Sequence, residues 1–110
     1  MSMYLVRFTL TPTAWAHLLE TKEDRREVLG PVFTAIGGTL HGYWYAFGDA
    51  DVYVLAELPD DQIAVGAIAK VAASGSFASV STTKLFTVDE MLDAVGRAEG
   101  VTYVGPGAAK

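Results

Sequence analysis

Apolar side chains recur along this chain with two periods, and the switches between them mark its elements. From Tyr4 to Leu10 the period is two. Tyr4, Val6, Phe8 and Leu10 make one apolar face, and Met3, Leu5, Arg7 and Thr9 the other, which predicts a β-strand. Thr11-Pro12 reads as an N-cap followed by proline at the first helical position. It opens a short helix with Trp15, Leu18 and Leu19 on one stripe. Thr21 to Ile36 starts as a charged turn and becomes helical, with Val28, Leu29, Val32, Phe33 and Ile36 at helical spacing. Pro31 inside that pattern predicts a kink. Gly37-Gly38 supplies a left-handed cap.

The stretch Thr39–Leu58 organises the rest. Two runs rich in aromatic and β-branched residues flank Gly48-Asp49-Ala50-Asp51, a hairpin signal with a turn-forming break. Tyr43, Trp44, Tyr45, Phe47 and Tyr53 gather here beside His41. The register is open at this stage. A loop of even length puts His41, Tyr43, Tyr45 and Phe47 on a face with Val52, Val54 and Ala56. A bulge puts them with Tyr53, Leu55 and Glu57.

Pro59-Asp60-Asp61 opens another helix with its acids at the positive end of the dipole. Ile63, Ala67, Ile68, Val71 and Ala72 form its stripe. Phe77–Phe86 reads as a fourth strand. Thr87-Val88-Asp89-Glu90 matches a capping box, and a last helix runs to about Ala98. The order strand, helix, hairpin, helix, strand, then an extra helix is the βαββαβ pattern of ferredoxin-like α+β folds. It implies a four-stranded antiparallel sheet with helices on one face.

With 110 residues, half of them hydrophobic, the chain can build one core without staples. Residues 1–100 read as a single domain and residues 101–110 as an extended tail. The absence of cysteine excludes disulfides and thiolate chemistry. No secretory signal and no long apolar run are visible, so a cytoplasmic protein without a membrane partner is expected. A net charge of −5 with scattered basic residues argues against nucleic acid.

Helices on one side leave the other sheet face open. Leu5, several tyrosines and Leu55 would make an apolar patch there of roughly 600 Å², at the upper end of what monomers expose. A homodimer or larger even-numbered assembly is therefore expected.

Of the candidate chemistry, His41 is the best acid/base group, since imidazole titrates near neutrality and aromatic neighbours can frame a flat substrate. Tyr43, Trp44, Tyr45 and Tyr53 read first as core or interface, yet tyrosine hydroxyls also line small-molecule sites. Arg7 and Glu57 are charges in strands, suited to holding a substrate carboxylate or to pairing across a dimer. Asp49 and Asp51 offer oxygen ligands, but two carboxylates in a turn are more often turn formers, so no metal is assigned. His17 reads as a surface residue. No cofactor motif is present.

The segments Gly37-Gly38-Thr39-Leu40, Tyr43–Asp51 and Glu57-Leu58-Pro59-Asp60 resemble the GYD domain family, within the dimeric α+β barrel superfamily. The likeness follows the order of elements over roughly residues 3 to 95. The chain keeps Gly48 and Asp51 of the family signature but carries Ala50 where a tyrosine is usual. The hairpin more weakly resembles the effector-binding domain of Lrp/AsnC-type regulators, in which the turn lies near an amino-acid site between subunits. The resemblance implies a ferredoxin-like dimeric barrel. Superfamily relatives use a pocket histidine in cyclases and isomerases, so by analogy His41 would serve as a cofactor-independent acid/base. The expected function is binding or transforming a small hydrophobic or aromatic molecule. The alternatives are a stand-alone metabolite sensor with its ligand at a subunit interface near Gly48–Asp51, and a structural assembly protein.

Overall fold

The computed structural model describes residues 1–107. Its elements are β1 (Ser2–Leu10), α1 (Pro12–Thr21), α2 (Arg25–Ala35), β2 (Thr39–Tyr45), β3 (Val52–Leu58), α3 (Asp61–Ala73), β4 (Phe77–Leu85) and α4 (Val88–Arg97). The strands form one antiparallel sheet in the order β2-β3-β1-β4. This is the ferredoxin-like α+β arrangement, with two helices rather than one in the first crossover.

Alternation along β1 and β3 decides where the core lies. Tyr4, Val6, Phe8, Val52, Val54, Ala56 and Leu58 are buried, and register places them on one face. Phe33 and Ile36 at the end of α2, with Ile63 and Ile68 of α3, pack against them. Each large side chain so buried contributes about 1.5–3 kcal/mol.

The helix starts are set by capping. Thr11 accepts from the Ala14 N–H at 3.2 Å, Asp24 from Arg26 at 3.0 Å, and Asp60 from Ile63 at 2.8 Å. Each satisfies a donor that has no intrahelical partner. At Thr87 the full capping box forms, with Glu90 reaching back to the Thr87 N–H. Helix α2 begins at Arg25, because Asp24 caps there, and runs through Pro31 to Ala35. Leu19, expected on the buried stripe of α1, is exposed, as are Val28 and Val32 of α2. Helices α1 and α2 thus turn narrower stripes inward than their sequences suggest. Residues 101–107 follow α4 without helix or strand. The remainder of the expected tail, residues 108–110, lies outside the described residues.

Gly38 lets the chain enter β2 close to the end of β3. A Cβ there would come within 2.5 Å of the Glu57 carbonyl oxygen and 2.8 Å of a Leu58 methyl. The hairpin turn is tied from both sides. Ala46 donates to the Asp51 carbonyl at 2.8 Å, and the Asp51 N–H donates to the Phe8 carbonyl at 3.0 Å. The Asp51 carboxylate accepts from the Leu10 N–H at 2.9 Å.

The register combines both sequence alternatives. Tyr45, Trp44, Tyr43 and Gly42 pair with Val52, Tyr53, Val54 and Leu55 in one frame. Leu40 and Thr39 pair with Ala56 and Glu57 in a frame shifted by one. His41 is the extra residue between them. A single bulge therefore keeps Tyr43, Tyr45 and Leu40 on the helix-covered face and turns His41 to the open one.

Candidate functional site

A cavity of about 660 Å³ opens between the covered sheet face and helices α1, α2 and α3. Its floor is an aromatic row across the sheet. The rings of Tyr45 and Tyr43 meet edge to face at 5.5 Å, Tyr43 and Phe8 at 6.5 Å, and Phe8 and Phe77 at 4.3 Å. Edge-to-face contact sets the positive edge of one ring against the negative face of the next. Ala14 and Leu18 of α1, Leu29 and Phe33 of α2, and Ile68 and Val71 of α3 close the sides.

The lining also includes polar side chains: His17 and Thr21 from α1, Glu23 from the loop, Arg25 from the start of α2, and Lys70 from the last turn of α3. Arg25 is half-buried, and its guanidinium donates to the Glu23 carboxylate at 2.6 Å. Burial, with the Tyr45 hydroxyl beside it, pushes the Tyr43 phenol well above its ordinary value, and nearby Arg25 opposes the shift only in part. Tyr43 is thus a neutral hydroxyl at any ordinary pH, a hydrogen-bond donor rather than a base.

The candidates named from sequence divide between the two sheet faces. Tyr43 and Tyr45 line the cavity. Trp44 and Tyr53 sit opposite each other in the ladder on the open face, and the Trp44 indole lies over Gly42, where a Cβ would come within 2.2 Å of it. Arg7 is exposed on the same face, opposite Tyr53 and Ser81. His41 Nε2 lies 3.1 Å from a Glu57 carboxylate oxygen. Both are partly solvent-exposed, so the pair is worth little in stability. His41 borders a separate, shallower groove of about 280 Å³ with Arg26, Thr34 and Thr39, and is not part of the large cavity. Arg7 and Glu57 do not pair within the chain; Glu57 faces His41. Asp51 is engaged by the Leu10 amide, while Asp49 is exposed in the bend.

Sequence reading missed Arg25, Lys70 and the rim position of His17. They come from three helices, and nothing local in the chain announces that all three line one cavity. The aromatic row was legible only in part, because Phe8 and Phe77 join Tyr43 and Tyr45 through strand order. A second polar cluster lies elsewhere on the covered face. The Tyr4 hydroxyl donates to Asp61 at 2.5 Å, and Lys84 pairs with the same carboxylate at 2.9 Å. Together they fasten the start of α3 to β1 and β4.

Among the described residues no helix is long and apolar enough to cross a membrane. The family model described as GYD domain matches residues 4–95. No curated protein matches the chain.

Proposed function

The chain belongs to the GYD domain family, and from that premise we propose that it binds a small, mostly apolar molecule with an aromatic-sized body and an anionic end. The ligand sits between the sheet and helices α1–α3. One observation carries this reading: a 660 Å³ mostly apolar cavity floored by an aromatic row, with Arg25 beside the Tyr43 hydroxyl in its lining. That volume suits a small organic ligand. Two cations, Arg25 and Lys70, face one carboxylate, Glu23, around the lining, which favours an anion.

Binding fits these groups better than turnover. A general base must reach the proton it removes, and Tyr43 is held neutral. His41, with Glu57 beside it, looks onto the opposite face, so acid/base chemistry through His41 would need a site other than this cavity. A ligand site at the Gly48–Asp51 turn has less support, since Asp51 already serves the Leu10 amide and neither cavity described is lined by the turn.

The aromatic sulfonate 1-anilinonaphthalene-8-sulfonate tests the reading. We expect one bright site per chain, lost in Ala14→Phe, which fills the cavity from α1, and weakened about tenfold in Arg25→Ala by loss of a charged hydrogen-bond donor. Unchanged dye binding in a cooperatively melting Ala14→Phe protein would refute it.

A further inference from the structure

We propose that Glu23 fills the anion position of the cavity from within the chain, and that a ligand's carboxylate takes its place on Arg25. This rests on the cavity as the binding site and names what it selects, flat aromatic bodies that end in one carboxylate.

The segment that joins α1 to α2 sets two acids against two arginines. Asp24 pairs with Arg26, and Glu23 with Arg25. The chemistry is the same and the tethering is not. Asp24 Oδ1 accepts from the Arg26 backbone N–H and from Nε, both at 3.0 Å, and Oδ2 accepts from Nη2 at 2.9 Å. That carboxylate is held by the cap it makes on α2. The Glu23 carboxylate caps nothing. Among the described residues its one hydrogen-bond donor is the Arg25 guanidinium, with Nη1 2.6 Å from Oε1.

The two pairs also face different ways. Glu23 and Arg25 line the large cavity, whereas Arg26 borders the shallower groove. Arg25 also reaches the Tyr43 hydroxyl, so its guanidinium joins the Glu23 carboxylate to the aromatic floor.

Exchange costs little here. The side chains of Arg25 and Glu23 are 32% and 42% exposed, and an ion pair that open to water is weak. The backbone on either side stays in place. The Lys22 N–H closes α1 on the Leu18 carbonyl at 2.9 Å, and Asp24 holds the start of α2. Only the Glu23 side chain has to turn outward. Arg25 then faces one negative charge with or without ligand, and a carboxylate replaces a carboxylate in the planar geometry a guanidinium favours. A neutral ligand has no charge with which to displace Glu23.

Naphthoate and its neutral counterpart naphthamide, titrated calorimetrically, test the exchange. The ratio of their affinities is the readout, because a purely structural role for Glu23 would move both alike. Glu23→Gln removes the competitor and should raise the ratio in favour of naphthoate about threefold to fivefold, as expected where an exposed pair holds the position. Arg25→Ala should lower the ratio about tenfold, and Glu23→Gln added to it should change nothing further. Glu20→Gln makes the same charge change at an exposed position outside the cavity lining and should leave the ratio as in the parent. A ratio that stays or falls in Glu23→Gln, or rises equally in Glu20→Gln, overturns the exchange. Naphthamide bound by the parent and lost in Ala14→Phe would still uphold the cavity. Failure of both naphthalenes to bind overturns the cavity reading and the exchange with it.

Discussion

The two faces of this sheet are built from the same strands, yet only one is finished within the chain. The covered face takes Tyr4, Val6 and Phe8 from β1 and Val52, Val54, Ala56 and Leu58 from β3, all buried. The open face takes the residues between them: Met3, Leu5 and Arg7, then Tyr53, Leu55 and Glu57. Their apolar members are of similar size but only partly shielded. Strict two-residue alternation therefore cannot tell an inner face from an outer one here, because both read as apolar. What separates them is where the three crossover helices fall. The covered face gains a core and a cavity. The open face keeps a tryptophan, a tyrosine, an exposed arginine and a histidine–glutamate pair.

Substitutions at neighbouring positions of β3 break this comparison most sharply. Val52 is 0% exposed, and Val52→Asp should destabilise the fold by about 4 kcal/mol or more, since an unpaired charge would be buried. Tyr53→Asp, one residue away on the open face, should change the denaturant midpoint of the dilute protein by less than about 1 kcal/mol. Equal losses would mean that the open face is as essential to the single chain as the core. Next in size is Gly38→Ala. The added methyl meets the Glu57 carbonyl at 2.5 Å, and the backbone must yield, at about 1–3 kcal/mol in urea unfolding. At the turn that serves both faces, Asp51→Ala loses the acceptor of the Leu10 amide and about 1 kcal/mol. Asp49→Ala should melt like the parent, and similar melting temperatures for the two variants would count against the assignment.

Acid should also act at one margin of the covered face. The Tyr4 hydroxyl and then Lys84 hold the Asp61 carboxyl below its ordinary value of 3.8. A lowered folded-state pKa gives stability that is complete above the unfolded value and disappears as pH falls through the folded one. The melting-temperature gap between parent and Asp61→Asn should therefore narrow as the pH drops below 3.8. A gap that stays constant down that limb would exclude Asp61 as its source. The smallest effect belongs to His41→Ala. It should leave both the melting temperature and dye binding in the cavity nearly unchanged, because its ring contacts Glu57 on the opposite face. Loss of dye binding in this variant would show that the two faces communicate.

The order of elements was legible because each boundary carries its own chemistry: Thr11-Pro12, Asp60, and the Thr87–Glu90 box. The hairpin was legible for the same reason. The bulge was not. It depends on how β2 meets β3 under Trp44 and Gly42, and a slip of one residue leaves no trace in a strand whose two faces are both aromatic. The cavity was legible only as a cluster of tyrosines. Arg25, His17 and Lys70 lie far apart in sequence and reach its lining through the packing of three helices. Phe47, expected beside Tyr43 and Tyr45, is fully exposed, because the chain leaves the sheet after Tyr45 and its alternation ends there.

The extra residue at His41 also changes how the length of β2 can vary. Leu40 pairs with Ala56 and Gly42 with Leu55, so a chain lacking residue 41 would run as a regular ladder with Leu40, Tyr43 and Tyr45 still directed at the helices. Position 41 is thus a slot for an insertion inside a strand, on an edge where no further strand must follow the change. Side chains can be added, removed or exchanged at that slot, a reporter group or a new acid/base residue among them, without recoding the aromatic floor on the other side.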